Sequence, residues 1–198
     1  MKIIWVATDG SDATGTGAQE TPYASIERAL QDMGDGDQIR ILDGTYISTD
    51  SIVISGISGS IFAENPRTVY IQPQKTKNHQ ACLAIIGTDR FSVTGINIIQ
   101  AADSGGNLIG MYVENVENFI AYTCSVFDFE VPSGNCYGIY AAGGGRVENC
   151  EVHNFACAGD SLYGISTLGV DVIDCSVVAL SGIGRCVVTG IHYSGFND

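Results

Sequence analysis

The chain has 198 residues, 45% of them hydrophobic, enough for one domain with a full core. It carries 9 Lys and Arg against 22 Asp and Glu, a formal charge of −13. That balance argues against nucleic acid as a partner, which needs clustered cations, and against an anionic membrane surface or an unassisted polyanionic substrate.

The first predicted element is a strand over residues 3–7. A Gly-, Asp-, Ser- and Thr-rich loop follows to Glu20. Ile26, Ala29, Leu30 and Met33 then fall at helical spacing, so the spacing predicts a helix capped near Ser25 and stopped by Gly34. Short strands are predicted at 38–42, 51–54, 60–63, 69–72 and 83–86. A longer one is predicted at 91–99, with a bend at Gly95. Residues 73–80, 128–135 and 156–161 read as loops leaving the strands. Lys2 is followed by too short an apolar run for a secretory core, and no run approaches the ~18 apolar residues of a membrane span. Synthesis in the cytosol is therefore expected, unless the protein leaves by lysis or a leaderless route.

From Gly110 onward two phrases recur. Gly110-Met111, Tyr137-Gly138-Ile139, Tyr163-Gly164-Ile165 and Thr189-Gly190-Ile191 form one. Cys124-Ser125-Val126, Cys150-Glu151-Val152 and Cys175-Ser176-Val177 form the other. A period of about 26 residues built from short β-branched phrases describes a solenoid of stacked coils. Alternation turns Cys150, Val152, Cys175 and Val177 inward and Glu151, His153 and Ser176 outward. Thr123, Asn149 and Asp174 share a column that suits a bend. The cysteines read as a buried, reduced column, since equivalent positions stack. The triple glycine Gly143-Gly144-Gly145 opens no helix and reads as a tight corner.

The stretch WVATDGSDATGTG…TPYASIERALQDMGDGDQIRILDGTY, residues 5–46, resembles the N-terminal opening of right-handed parallel β-helix proteins, the pectin-lyase-like superfamily. The resemblance implies an all-β fold: a right-handed parallel β-helix (solenoid) with one N-terminal capping α-helix. It implies one domain over 1–198, with 1–46 as cap and first coil and 47–198 as stacked coils. It also implies that Ile26, Ala29, Leu30 and Met33 cover the first rung. The superfamily mixes polysaccharide lyases, glycoside hydrolases, epimerases, adhesins and viral tail or capsid proteins, so the fold names no activity.

A lyase needs a base beside positive charge, and a hydrolase needs two carboxylates facing one groove. Arg67, Lys75, Lys77, Arg90, Arg146 and Arg185 are the cations beyond the cap, and none clusters with paired acids at one repeat position. Glu151, His153, Asp160 and Asp171 are the residues that stacking can gather on one face. His79, His153 and His192 show no ligand spacing, and Asp9 and Asp12 match a Ca²⁺ loop only in part. The sequence therefore nominates no catalytic, cofactor-binding or metal-binding residue and no cofactor. No helix follows Gly190-Ile191, so Tyr193 and Phe196, or a further subunit, are the expected cover for that end. The expectation is a non-enzymatic structural or binding module: a phage virion component such as a capsid decoration, spike or tail-associated protein. It would assemble as a homo-oligomer, a trimer by preference, with capsid, tail or carbohydrate partners. The alternative is a small polysaccharide lyase or glycoside hydrolase acting on acidic polysaccharide.

Overall fold

The computed structural model describes residues 1–74, 81–100, 106–182 and 186–194. Lys75, Lys77, His79, Arg185 and Phe196 lie outside the described residues. In chain order the elements are β1 (Ile3–Val6), α1 (Ile26–Gln31), β2 (Asp37–Ile41), β3 (Gly44–Ser48), β4 (Ile52–Ser55) and β5 (Gly59–Ala63). Then come β6 (Val69–Pro73), β7 (Ala81–Thr94), β8 (Ile96–Ile99), β9 (Leu108–Tyr122), β10 (Ser125–Val131) and β11 (Cys136–Glu148). The last five are β12 (Glu151–Cys157), β13 (Ser161–Leu168), β14 (Asp171–Ile173), β15 (Ser176–Gly182) and β16 (Val187–Ser194).

Named strands pair in parallel, and each pairs with the strand one coil away. The chain therefore winds as a right-handed parallel β-helix of about six turns. Three faces surround one core. The first face stacks β4, the first halves of β7, β9 and β11, then β13 and β16. The second stacks β1, β2, β5, the second halves of β7, β9 and β11, then β14. The third stacks β3, β6, β8, β10, β12 and β15. Strands β7, β9 and β11 turn the corner between the first two faces without breaking. Their bends sit at Gly87, Asn115 and Gly143, all with positive φ.

The corner between the second and third faces is sharper. Thr123, Asn149 and Asp174 occupy it with φ of 55°, 52° and 49°, the left-handed conformation that Asn and Asp tolerate best. The backbone N–H of Thr123 donates to Glu148 O and that of Asn149 to Ile173 O, while Asn149 Nδ2 donates to Thr123 Oγ1 at 3.2 Å. The predicted bend column is thus a hydrogen-bonded ladder along the axis. Just inside it, Cys124 and Cys150 are buried and Cys175 is half-buried, all free thiols. The Cys124 N–H points at Cys150 Sγ and the Cys150 N–H at Cys175 Sγ, each at 3.4 Å.

Two predicted loops begin later than expected, at 132 and 158. Residues 128–131 belong to β10 and 156–157 to β12. Asp128 and Asn154 sit at φ 59° and look like turn residues, but they stand opposite each other and the strands resume beyond them in unchanged register. Phe129 and Phe155 then point inward and stack at 4.6 Å.

At the N-terminal end α1 lies across the first coil. Ser25 Oγ accepts the Arg28 N–H at 3.1 Å, the N-cap bond. Asp12 accepts from the N–H groups of Ala24 and Ser25 and from the Ser25 hydroxyl. Ile26, Ala29 and Met33 are buried and Leu30 packs half-buried beside them, as the helical spacing requires.

Candidate functional site

On the first face, strict alternation breaks at the repeated glycines. Gly138 and Ile139 are both buried, so Tyr137 and Tyr140 both face outward. The glycine is needed because this face approaches the third closely. A Cβ on Gly138 would lie 2.5 Å from Val152 Cγ1 and 2.5 Å from the Gly164 carbonyl oxygen. In-register pairing then stacks tyrosine on tyrosine. Tyr112 and Tyr140 rings lie 5.4 Å apart and 10° from parallel, and Tyr137 and Tyr163 lie 4.9 Å apart and 10° from parallel. Tyr137 meets Tyr140 edge-on at 5.8 Å, which joins the two columns. His192 continues the surface edge-on to Tyr163, with Nδ1 3.4 Å from Ser166 Oγ.

Each of these four tyrosines is half-buried, with its rotamer held by the neighbouring ring. Burial, followed by a hydrogen bond to the Glu114 carboxylate, pushes the Tyr112 hydroxyl upward from its ordinary value. Burial, with Tyr163 and Tyr140 alongside, does the same for Tyr137. These two hydroxyls stay protonated through neutral and mildly alkaline pH. Glu114 is the one carboxylate on the strands of this face among the described residues, and those strands carry no Lys or Arg. The face offers rigid apolar ring edges and hydroxyl donors and acceptors at a spacing of one coil, about 4.8 Å.

A second concavity lies at the corner of the first two faces near the N-terminal end. It is an open groove of about 480 Å³ lined by Asp37, Ser60, Asp89, Arg90, Ser92 and Asn118, among others. Asp37 is committed: its carboxylate accepts from the N–H groups of Lys2 and Gly34, which hold it below the usual carboxylate range. The groove therefore pairs one exposed carboxylate, Asp89, with one exposed guanidinium, Arg90, among hydroxyls.

The residues expected to gather on one face are dispersed. Glu151 and His153 lie on β12 of the third face, Asp171 on β14 of the second, and Asp160 in the turn before β13. Glu151 pairs with Arg67 at 2.9 Å, and His153 stacks on Phe127 at 4.9 Å. Arg146 is paired with Glu148 at 2.8 Å. Asp174 is a bend residue. Asp9 lines a cleft with Asp43 and Asn65. No group of three His, Cys, Asp or Glu residues among the described residues has metal-binding geometry. The tyrosine columns were not nominated from sequence, although Tyr137 and Tyr163 stand at the same place in two successive repeats.

No protein-family model matches the chain. No curated protein matches it either. Among solved structures, a rhamnogalacturonan lyase superposes with a TM-score of 0.61 at 15% identity, over 100% of this chain and 63% of that one. A pectin methylesterase from carrot superposes with a TM-score of 0.52 at 11% identity, over 98% of this chain and 82% of that one. The chain thus spans under two thirds of the lyase. At these identities the likeness is one of fold: the chain shares the pectin-lyase-like β-helix with pectin-active enzymes.

Proposed function

We propose that this pectin-lyase-like β-helix is a non-catalytic binding module whose first face holds a neutral glycan along the solenoid axis. The observation that carries this reading is the pair of stacked tyrosine columns on a face whose described strands carry no Lys or Arg and one carboxylate. Stacked rings are already ordered, so little side-chain entropy is lost on binding. Tyrosine supplies apolar area and a polar tip together, which suits a ligand that alternates C–H faces with hydroxyls. One coil rises by about the length of one extended sugar residue, so successive hydroxyls meet successive sugars. The charge of −13 repels a polyuronate, which separates this ligand from the acidic substrates that the fold's enzymes suggest. Glycan binding fits the role of a virion surface protein assembled as an oligomer, and that setting is part of the proposal.

The groove at Asp89 and Arg90 favours a second reading, a lyase or hydrolase. A carboxylate beside a guanidinium is the minimum for proton abstraction next to a uronate. A hydrolase needs a second free carboxylate across the groove, and Asp37 is already bonded to backbone amides.

The test is a panel of neutral and acidic polysaccharides scored for retention of the protein and for new chain ends. Retention by neutral glycans without new ends supports the binding module. Chain ends released from a uronate polymer, and lost in Asp89→Asn, would establish the enzyme instead.

A further inference from the structure

Apart from the cysteine column of the sharp corner, four thiols meet where the third face turns into the first: Cys82, Cys136, Cys157 and Cys186. All are free. Cys157 ends β12 and stands in register with Val131 on one side and Gly182 on the other. Gly182 has no side chain to continue that column. A Cβ built there would lie 3.1 Å from Cys186 Cβ, so Cys186 occupies the space that Gly182 leaves. The Cys186 Sγ lies 3.8 Å from Val187 O, and the Cys157 Sγ lies 3.6 Å from Gly134 O and 3.7 Å from Ser161 O. Cys157 is buried and takes the Gly159 N–H on its sulfur at 3.3 Å, while Cys186 is half-buried and open to solvent.

We propose that Cys157 and Cys186 are an oxidation site, closing a disulfide that fastens the last described coil to the coil before it. The oxidant is a small disulfide such as oxidised glutathione. The Cys186 thiolate attacks one glutathione sulfur, releases the other as thiol, and forms a mixed disulfide. Cys157 loses its proton and attacks the Cys186 sulfur, releasing the second glutathione thiol. Two protein thiols and one small disulfide thus become one protein disulfide and two small thiols. Burial, then the Cys157 thiol and Asp160, hold Cys186 up at about 11, so exchange is slow at neutral pH. The coil that the bond clamps is the one with the least packing. Val187, Val188 and Ile191 of β16 are exposed, whereas their neighbours in β13 are mostly buried.

Incubation of the folded chain with oxidised glutathione, then peptide mapping, tests the assignment. The expected product links Cys157 to Cys186 with loss of two hydrogens. It raises the unfolding midpoint by roughly 5–10 °C and slows amide exchange in β16. Cys186→Ser should remove the link and the shift, and Cys136→Ala should leave both. A glutathione adduct that stays on Cys186, a link from either thiol to Cys136, or both thiols still free would overturn it.

Discussion

The coil under the helix and the last described coil carry the same inward pattern in different surroundings. Ile39 and Ile41 of β2 are fully buried, with β1 on one side and β5 on the other. Val188 and Ile191 of β16 stand in register with buried Leu162 and Ile165, yet are 43% and 47% exposed. Cys175 and Val177 point inward as alternation requires, but remain half-exposed for the same reason. Period and alternation set the direction of a side chain. Burial is conferred by a neighbour on each side along the axis, and only α1 or another coil supplies one.

That contrast can be broken most forcefully in the core. Ile39→Ala should cost roughly 2–5 kcal/mol in denaturant unfolding, and Ile191→Ala less than about 1 kcal/mol, because only the first leaves a closed cavity. Equal costs would mean that the last coil is packed as tightly as the first.

The glycine column gives a somewhat smaller contrast. A Cβ on Gly138 meets Val152 and the Gly164 carbonyl, and Gly138→Ala should cost about 1–3 kcal/mol. At Gly190 the nearest atoms are Val177 Cβ and Cγ1 at 4.0 Å, so Gly190→Ala should change stability by no more than about 0.5 kcal/mol. A repeat position that is costly in one coil and tolerant in another separates coil packing from any intrinsic need for glycine.

Acid should loosen the N-terminal end first. For Asp12 burial raises the carboxyl, but the Ser25 hydroxyl and the Ser25 and Ala24 N–H groups outweigh it and lower it. Asp32 is lowered by the Tyr23 hydroxyl and then by Arg28, and Asp43 by Thr68 and then Asn65. A folded value below the unfolded one contributes stability that is present above the ordinary carboxyl value of 3.8 and lost as pH falls through the folded value. Below about pH 4, amides of α1 and β3 should lose exchange protection before those of β10 and β12. Simultaneous loss would place the acid-sensitive contacts elsewhere.

The smallest effect concerns the tyrosine face. Its raised Tyr112 and Tyr137 hydroxyls stay protonated, so glycan affinity should be flat between pH 6 and 9. A fall across that range would contradict a contact made through these protonated hydroxyls.

Much of this architecture was legible in the chain. The helix over Ile26 to Met33, the bend column at Thr123, Asn149 and Asp174 and the inward cysteines followed from spacing, because stacking makes equivalent positions meet. The strand ends at 128–131 and 156–157 did not. Asp and Asn at a positive φ fit within a strand as readily as in a turn, and only the partner strand decides which. The tyrosine face was half legible. Tyr137 and Tyr163 repeat, but Tyr140 reaches the same face only because Gly138 and Ile139 both turn inward, an irregularity that alternation does not contain. The approach of Cys186 to the Cys157 column was hidden too, since it depends on the space vacated by Gly182.

The central claim is that a neutral glycan lies along the stacked tyrosines, and an affinity comparison of two variants tests it most directly. Tyr137→Ala with Tyr163→Ala should weaken binding of a neutral oligosaccharide by about 100-fold, near 2.8 kcal/mol, while Arg90→Ala leaves it unchanged. Undiminished binding in the tyrosine variant, with loss in Arg90→Ala, would contradict the account and move the site to the groove.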